Sequence, residues 1–290
     1  MHSTIEKLIS AGPVVTDGAW GTQLHQRGLQ PGQCPDAWNL TEPEKVEQVA
    51  RAYVEAGSQV ILTNTFGANR FILTRHGLAD RAAEINRAGV EISRRAAGKR
   101  ATVFASIGPS GVMLLMREVE EADLQAAFAE QTEALAEAGA DGIVVETMSD
   151  PAEARLAVAA ARQTGLPVVA CMVFDSGANK DRTMMGTTPE EAAAVLIAAG
   201  ADLVGSNCGQ GIAGFVTICR RLHDASGGPV WIKPNAGLPQ VVDGETVYSQ
   251  TAREFAEYVP QLVEAGAAFV GGCCGTTPEF IKAVKEKLKT

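Results

Sequence analysis

The chain has 290 residues, 46% of them hydrophobic and 20% charged, with a formal net charge of −9. That length suits one large α/β domain, the composition excludes a disordered chain, and the acidity excludes the basic surface that phosphate-backbone binding needs, so no nucleic-acid partner is expected. Residues 1–15 carry Glu6 and Lys7 without a long apolar core, and no run of about 18 uncharged apolar residues follows, so neither export nor a membrane span is expected.

In chain order, the first predicted strand is PVVTD at 13–17. The apolar face Val46, Val49, Ala50 and Tyr53 then predicts a helix, which runs into EAGSQVILTNT at 55–65. Next come the strand TVFASIG at 102–108, an Ala-rich helix over 120–138 and EAGADGIVVET at 137–147. Asp150-Pro151 opens a helix over 151–163, PVVACMV at 167–173 is a strand, and Thr188-Pro189 opens a helix over 188–199. AAGADLVGSNC at 198–208, PVWIKP at 229–234, a helix over 251–265 and EAGAAFVGGCC at 264–274 complete the series. Two long connections, 34–43 and 174–187, are predicted to be active-site loops.

Four of these segments share one plan: a helix ends at Gly, and a short uncharged β run begins two to four residues later. Gly fits just after a helix because it enters the left-handed region without a Cβ clash. Uncharged runs suit strands covered on both faces. Eight strand–helix units predict a (β/α)₈ barrel, one domain spanning residues 1–290, with a doubly wound open sheet as the alternative.

The repeat also supplies a register. Seven residues beyond each Gly stand Asn64, Glu146, Asn207 and Cys273; eight beyond stand Thr65, Thr147, Cys208 and Cys274. In a (β/α)₈ barrel such strand ends converge on the face where active sites form. Cys208, Cys273 and Cys274, though far apart in sequence, are therefore predicted to share one mouth. Three thiols suit Zn²⁺, which prefers thiolates and keeps a fourth position open at a catalytic site. The four histidines are scattered and form no zinc-hydrolase pair. A strained vicinal disulfide between Cys273 and Cys274 is the competing reading. Cys171 and Cys219 read as small buried hydrophobes, in a cytoplasmic protein whose thiols stay reduced.

Asp17-Gly18-Ala19-Trp20-Gly21-Thr22, Asn64-Thr65-Phe66, Gly108-Pro109-Ser110, Glu146-Thr147, Gly205-Ser206-Asn207-Cys208, Asn235-Ala236-Gly237-Leu238-Pro239 and Gly271-Gly272-Cys273-Cys274-Gly275-Thr276-Thr277-Pro278 together resemble the homocysteine S-methyltransferases. Within that family the likeness is to the homocysteine-binding barrel of cobalamin-dependent methionine synthases, and it runs from about residue 13 to 289. The resemblance implies that Cys208, Cys273 and Cys274 bind zinc and that homocysteine joins them as a zinc thiolate. It also implies that Asp17 and Glu146 hold the substrate's amino group, with backbone amides of the glycine-rich turns open to its carboxylate.

Each supporting residue has a plainer reading beside it. Asp17 can shape a turn, Asn64 and Asn207 can tie loops together, and Trp20, Trp38 and Phe66 can pack rather than wall a pocket. Asn235, at a strand end, is a candidate to reach the metal before substrate arrives. No Asp-x-His-x-x-Gly cobalamin motif is present and 16 residues follow Cys274, so methylcobalamin is expected on a separate corrinoid protein. S-methylmethionine is the alternative donor, with betaine behind it. A non-catalytic thiol-binding module of a larger complex is the alternative role.

Overall fold

The structure is a computed structural model that describes residues 1–242 and 245–289. Eight parallel strands form the sheet: β1 (Val14–Val15), β2 (Val60–Ile61), β3 (Thr102–Ile107), β4 (Gly142–Met148), β5 (Val168–Met172), β6 (Leu203–Gly211), β7 (Val230–Asn235) and β10 (Ala267–Val270). An antiparallel hairpin, β8 (Pro239–Val242) with β9 (Glu245–Tyr248), interrupts the series after β7. The ladder runs β1-β10-β7-β6-β5-β4-β3-β2, which leaves β1 and β2 as neighbours at a seam. The Gln59 N–H donates to the Val15 carbonyl at 2.7 Å, and the Val15 N–H donates to Gln59 Oε1 at 3.0 Å. The Leu62 N–H adds a bond to Asp17 Oδ2 at 2.7 Å, so side chains close what the two short strands leave open. The result is the (β/α)₈ architecture the repeat predicts, and the doubly wound alternative falls.

Alternation along the strands explains the two packed layers. Val60, Leu62, Phe104, Val144, Val169, Trp231 and Phe269 point inward, where Trp231 stacks on Phe269 at 4.9 Å and on Phe104 at 6.1 Å between ring centroids. Ile5 of the N-terminal helix Ser3–Ile9 joins this inner cluster. Their neighbours Val103, Ala105, Ile143 and Val145 face the surrounding helices. Gly205 is forced by this packing, since a Cβ there would strike the Trp231 carbonyl and the Cys171 sulfur.

All four helix-ending glycines of the repeat, Gly57, Gly139, Gly200 and Gly266, have φ between 88° and 107°. The helices over 121–137, 151–162 and 189–199 match expectation. The predicted helix over 251–265 is instead two, Ala252–Ala256 and Val259–Glu264. Pro260 explains the break, because its ring has no N–H to donate and crowds the carbonyl four residues back. No helix among the described residues is long and apolar enough to cross a membrane.

Candidate active site

Two strand ends bring the thiols together. β6 continues through Cys208, whose φ of 64° turns its side chain into the mouth; Thr147, its counterpart near the end of β4, has φ 63°. A left-handed backbone costs a residue with a Cβ roughly 1–2 kcal/mol. Residues held this way tend to cluster at working sites. Beyond β10, the Cys273 N–H donates to the Pro234 carbonyl at 2.7 Å and the Gly272 N–H to the Asp17 carbonyl at 3.0 Å. Thr276 Oγ donates to the Cys273 carbonyl at 2.7 Å and accepts from the Ala19 N–H at 3.1 Å. The adjacent cysteines are thus pinned between β1 and β7.

The three sulfurs lie within 4.8 Å of one another, with Cys208 and Cys274 4.0 Å apart. Two ligands on a tetrahedral Zn²⁺ at about 2.3 Å stand roughly 3.8 Å apart, so the cluster fits that ion closely. Among the described residues no other group of His, Cys, Asp or Glu meets the same test. A disulfide needs its sulfurs at about 2.05 Å, and all six cysteines are free. Asn235 donates to Cys208, while its buried Oδ1 has no hydrogen-bond partner. An orphaned acceptor beside three thiols is the kind of group a cation would satisfy. Hydrogen bonds among the three thiols push Cys208 far down and the other two up, so the three titrate as one coupled cluster that gives up its first proton more readily than an isolated thiol.

The thiols open into a cavity of about 390 Å³, whose walls include Trp20, Asn64, Phe66, Glu146 and Lys233. Glu146 accepts from Ser106 Oγ at 2.5 Å and from Asn207 Nδ2 at 3.3 Å. Burial raises its pKa, against the pull of Lys233. Lys233, 2% exposed, donates to Asp17 Oδ1 at 2.5 Å. Burial opposes its charge, but Asp17 and Glu146 outweigh that cost and its pKa rises. Asp17 is fully buried and also accepts from Trp20 Nε1 at 2.8 Å and from the Leu62 N–H. Asn207 is a hub: its Oδ1 accepts from the Thr147 N–H, and its Nδ2 reaches Thr147 Oγ, Glu146 and Cys273 Sγ.

The sequence profile of the homocysteine S-methyltransferases matches residues 14–288. The chain belongs to the homocysteine S-methyltransferase family. Curated relatives include the methionine synthases of Mycobacterium tuberculosis and Mycobacterium leprae, each 32% identical, over 96% and 93% of this chain. The alignments cover 25% and 24% of those proteins, so the chain spans about a quarter of their length. Among solved structures, the metallated form of the homocysteine methyltransferase MmuM from Escherichia coli shares the fold at a TM-score of 0.82 and 23% identity, covering 98% of this chain and 99% of that one.

In this chain the thiols, Glu146, Asn64 and Lys233 border one cavity, with Asn207 and Asn235 hydrogen-bonded to its lining residues. Asn64 spends both amide N–H groups on the Pro35 carbonyl and Asn39 Oδ1, which ties β2 to the 34–43 connection. That connection reaches the cavity through Pro35 and Asp36, whereas no residue of 174–187 lines it. Trp20 and Phe66 are wall residues; Trp38 packs in the outer core beneath Lys45, 4.8 Å from its ring. Sequence reasoning missed Lys233, Ser106 and Tyr248, the last donating to Cys274 from the hairpin. Lys233 had a readable signal: it is a charge inside an otherwise apolar strand, the same anomaly that marks Glu146. Tyr248 had none, because only the hairpin fold carries it over the thiols.

Proposed function

We propose that the chain, working as one homocysteine-binding barrel, methylates homocysteine to methionine with zinc held by Cys208, Cys273 and Cys274. The observation that carries this reading is the meeting of three thiols from β6 and β10 in one cavity with a buried carboxylate, Glu146. When bound there, zinc would lower the pKa of a fourth sulfur and leave it nucleophilic, since three thiolates already over-neutralise the dication. Glu146 receives the substrate ammonium at the cavity wall, whereas Asp17, the other carboxylate the resemblance implies for that role, is buried outside the lining and paired with Lys233. Asn207 and Ser106 fix the Glu146 carboxylate through their hydrogen bonds. Trp20 and Phe66 narrow the mouth against water. The substrate sulfur donates an electron pair to the incoming methyl carbon, and the pair of the breaking bond departs with the donor. Asn235 is the residue proposed to turn its unpartnered Oδ1 toward the metal before substrate arrives. The compartment must keep the thiols reduced, as the cytoplasm does.

The methyl donor is proposed to be methylcobalamin carried on a separate corrinoid protein. The methionine synthase relatives, four times as long as this chain, support a partner. So does the rim of the mouth: most of the exposed large apolar side chains among the described residues, including Phe66, Met113, Leu115, Met116, Met184 and Leu238, lie in connections that follow strand ends. These side chains are the surface proposed to meet that partner. The second reading is S-methylmethionine as a free donor, which would need no partner protein.

The test is zinc content together with methionine formation from homocysteine and, in turn, a methylated corrinoid protein, S-methylmethionine and betaine. Turnover with the corrinoid protein supports the full proposal, and turnover with S-methylmethionine alone selects the second reading. Tight homocysteine binding without turnover by any donor would reassign the chain to a thiol-binding module. Zinc-loaded protein that neither binds nor methylates homocysteine defeats the reading.

A further inference from the structure

Among the described residues, Lys233 is the single Lys, Arg or His that lines the thiol cavity. It lies in β7 between Ile232 and Pro234, 2% exposed. A buried ammonium is costly unless paired and fully hydrogen-bonded. Asp17 supplies the pairing through one bond to Nζ. Nζ carries three N–H groups. Among the described residues no second acceptor is bonded to it, so two N–H groups are left for whatever enters the cavity. Asp17 is in turn held by Trp20 and the Leu62 N–H, which anchors the pair to the barrel seam rather than to a mobile loop.

The charged side chains lining the cavity are therefore Glu146, Asp36 and Lys233, the last paired with Asp17. An α-amino acid whose ammonium meets Glu146 presents its carboxylate to the remaining polar wall. We propose that Lys233 binds the α-carboxylate of the thiol substrate, so that the site selects a zwitterionic amino acid over a simple thiol; this rests on the homocysteine reading above. Asp17 is then a positioning residue that holds the Lys233 ammonium in place. The competing receptor is the set of backbone amides in the glycine-rich turns.

The experiment compares three thiols on zinc-loaded protein by calorimetry: L-homocysteine, 4-mercaptobutyrate, which lacks the ammonium, and 3-aminopropanethiol, which lacks the carboxylate. Lys233→Gln keeps a donor to Asp17 and removes the charge. It is expected to weaken L-homocysteine and 4-mercaptobutyrate by about tenfold or more, the scale of a charge-assisted hydrogen bond, and to leave 3-aminopropanethiol within about twofold. Equal weakening of all three ligands, or of none, would overturn the assignment and return the carboxylate to the backbone amides. If Lys233→Gln does not fold, the double variant Asp17→Asn/Lys233→Met removes both charges and carries the same comparison, with the larger loss expected on the two carboxylate ligands. Wild-type protein that binds none of the three thiols would instead overturn the homocysteine reading, and this assignment with it.

Discussion

Asp36 is fully enclosed beside the cavity, with the Gly67 N–H donating to its Oδ1 at 3.0 Å. Burial raises its pKa to about 6 from an ordinary 3.8. A raised carboxyl favours the protonated folded state, so its cost is absent below about pH 4 and fully felt above about pH 6. Asp36→Asn keeps the Oδ1 acceptor and removes the charge. It is expected to stabilise the protein by about 3 kcal/mol at pH 8, falling to nothing near pH 4, in denaturant titrations across pH. A gain independent of pH would show that packing rather than charge is responsible. Glu146, also raised by burial, gives a functional counterpart. It must be ionised to hold an ammonium, so homocysteine affinity is expected to fall with decreasing pH at a higher pH than an ordinary carboxylate would give. Glu146→Gln should remove that step, and 4-mercaptobutyrate should not show it in wild type. At this scale a charge in an apolar strand is legible from sequence, as Glu146 is and Lys233 equally was. Which partner it finds is not, because Asp17 and Lys233 meet only after 216 residues of chain have folded back.

The elements show why the barrel could be read from sequence and its seam could not. The Gly-ended helices recur four times, and each Gly adopts the left-handed backbone that ends a helix cleanly. The register then carries over to the site, since Thr147 and Cys208 occupy equivalent places and share the same strained φ. The seam depends on Gln59, whose side chain replaces a ladder bond between two two-residue strands. Nothing about a polar residue before a strand announces that duty. Gln59→Ala leaves the buried Val15 N–H without its acceptor, at an expected cost of about 1–3 kcal/mol in denaturant midpoint measurements. Gln59→Glu retains an acceptor at Oε1 and should lose less. A null effect for Gln59→Ala would mean the backbone bond from the Gln59 N–H alone closes the barrel.

At the scale of the whole molecule, the stacked interior around Trp231 and the helix-facing layer lie below the thiols, which sit at the mouth and remain partly exposed. Folding is therefore expected to be independent of the proposed metal site. Zinc would still bridge segments 65 positions apart, β6 to the turn after β10, and anything that binds only the folded state stabilises it by mass action. Chelation of the zinc-loaded protein is thus expected to abolish methyl transfer and lower Tm by an amount that grows with the zinc concentration of the reference sample. Far-UV circular dichroism at 25 °C should stay unchanged. Cys273→Ala should reproduce the chelated state, with the same spectrum and no retained zinc. Loss of helical signal on chelation would place the thiols among the groups that hold the barrel together, and the open fourth position that the proposed chemistry requires would then have no physical basis.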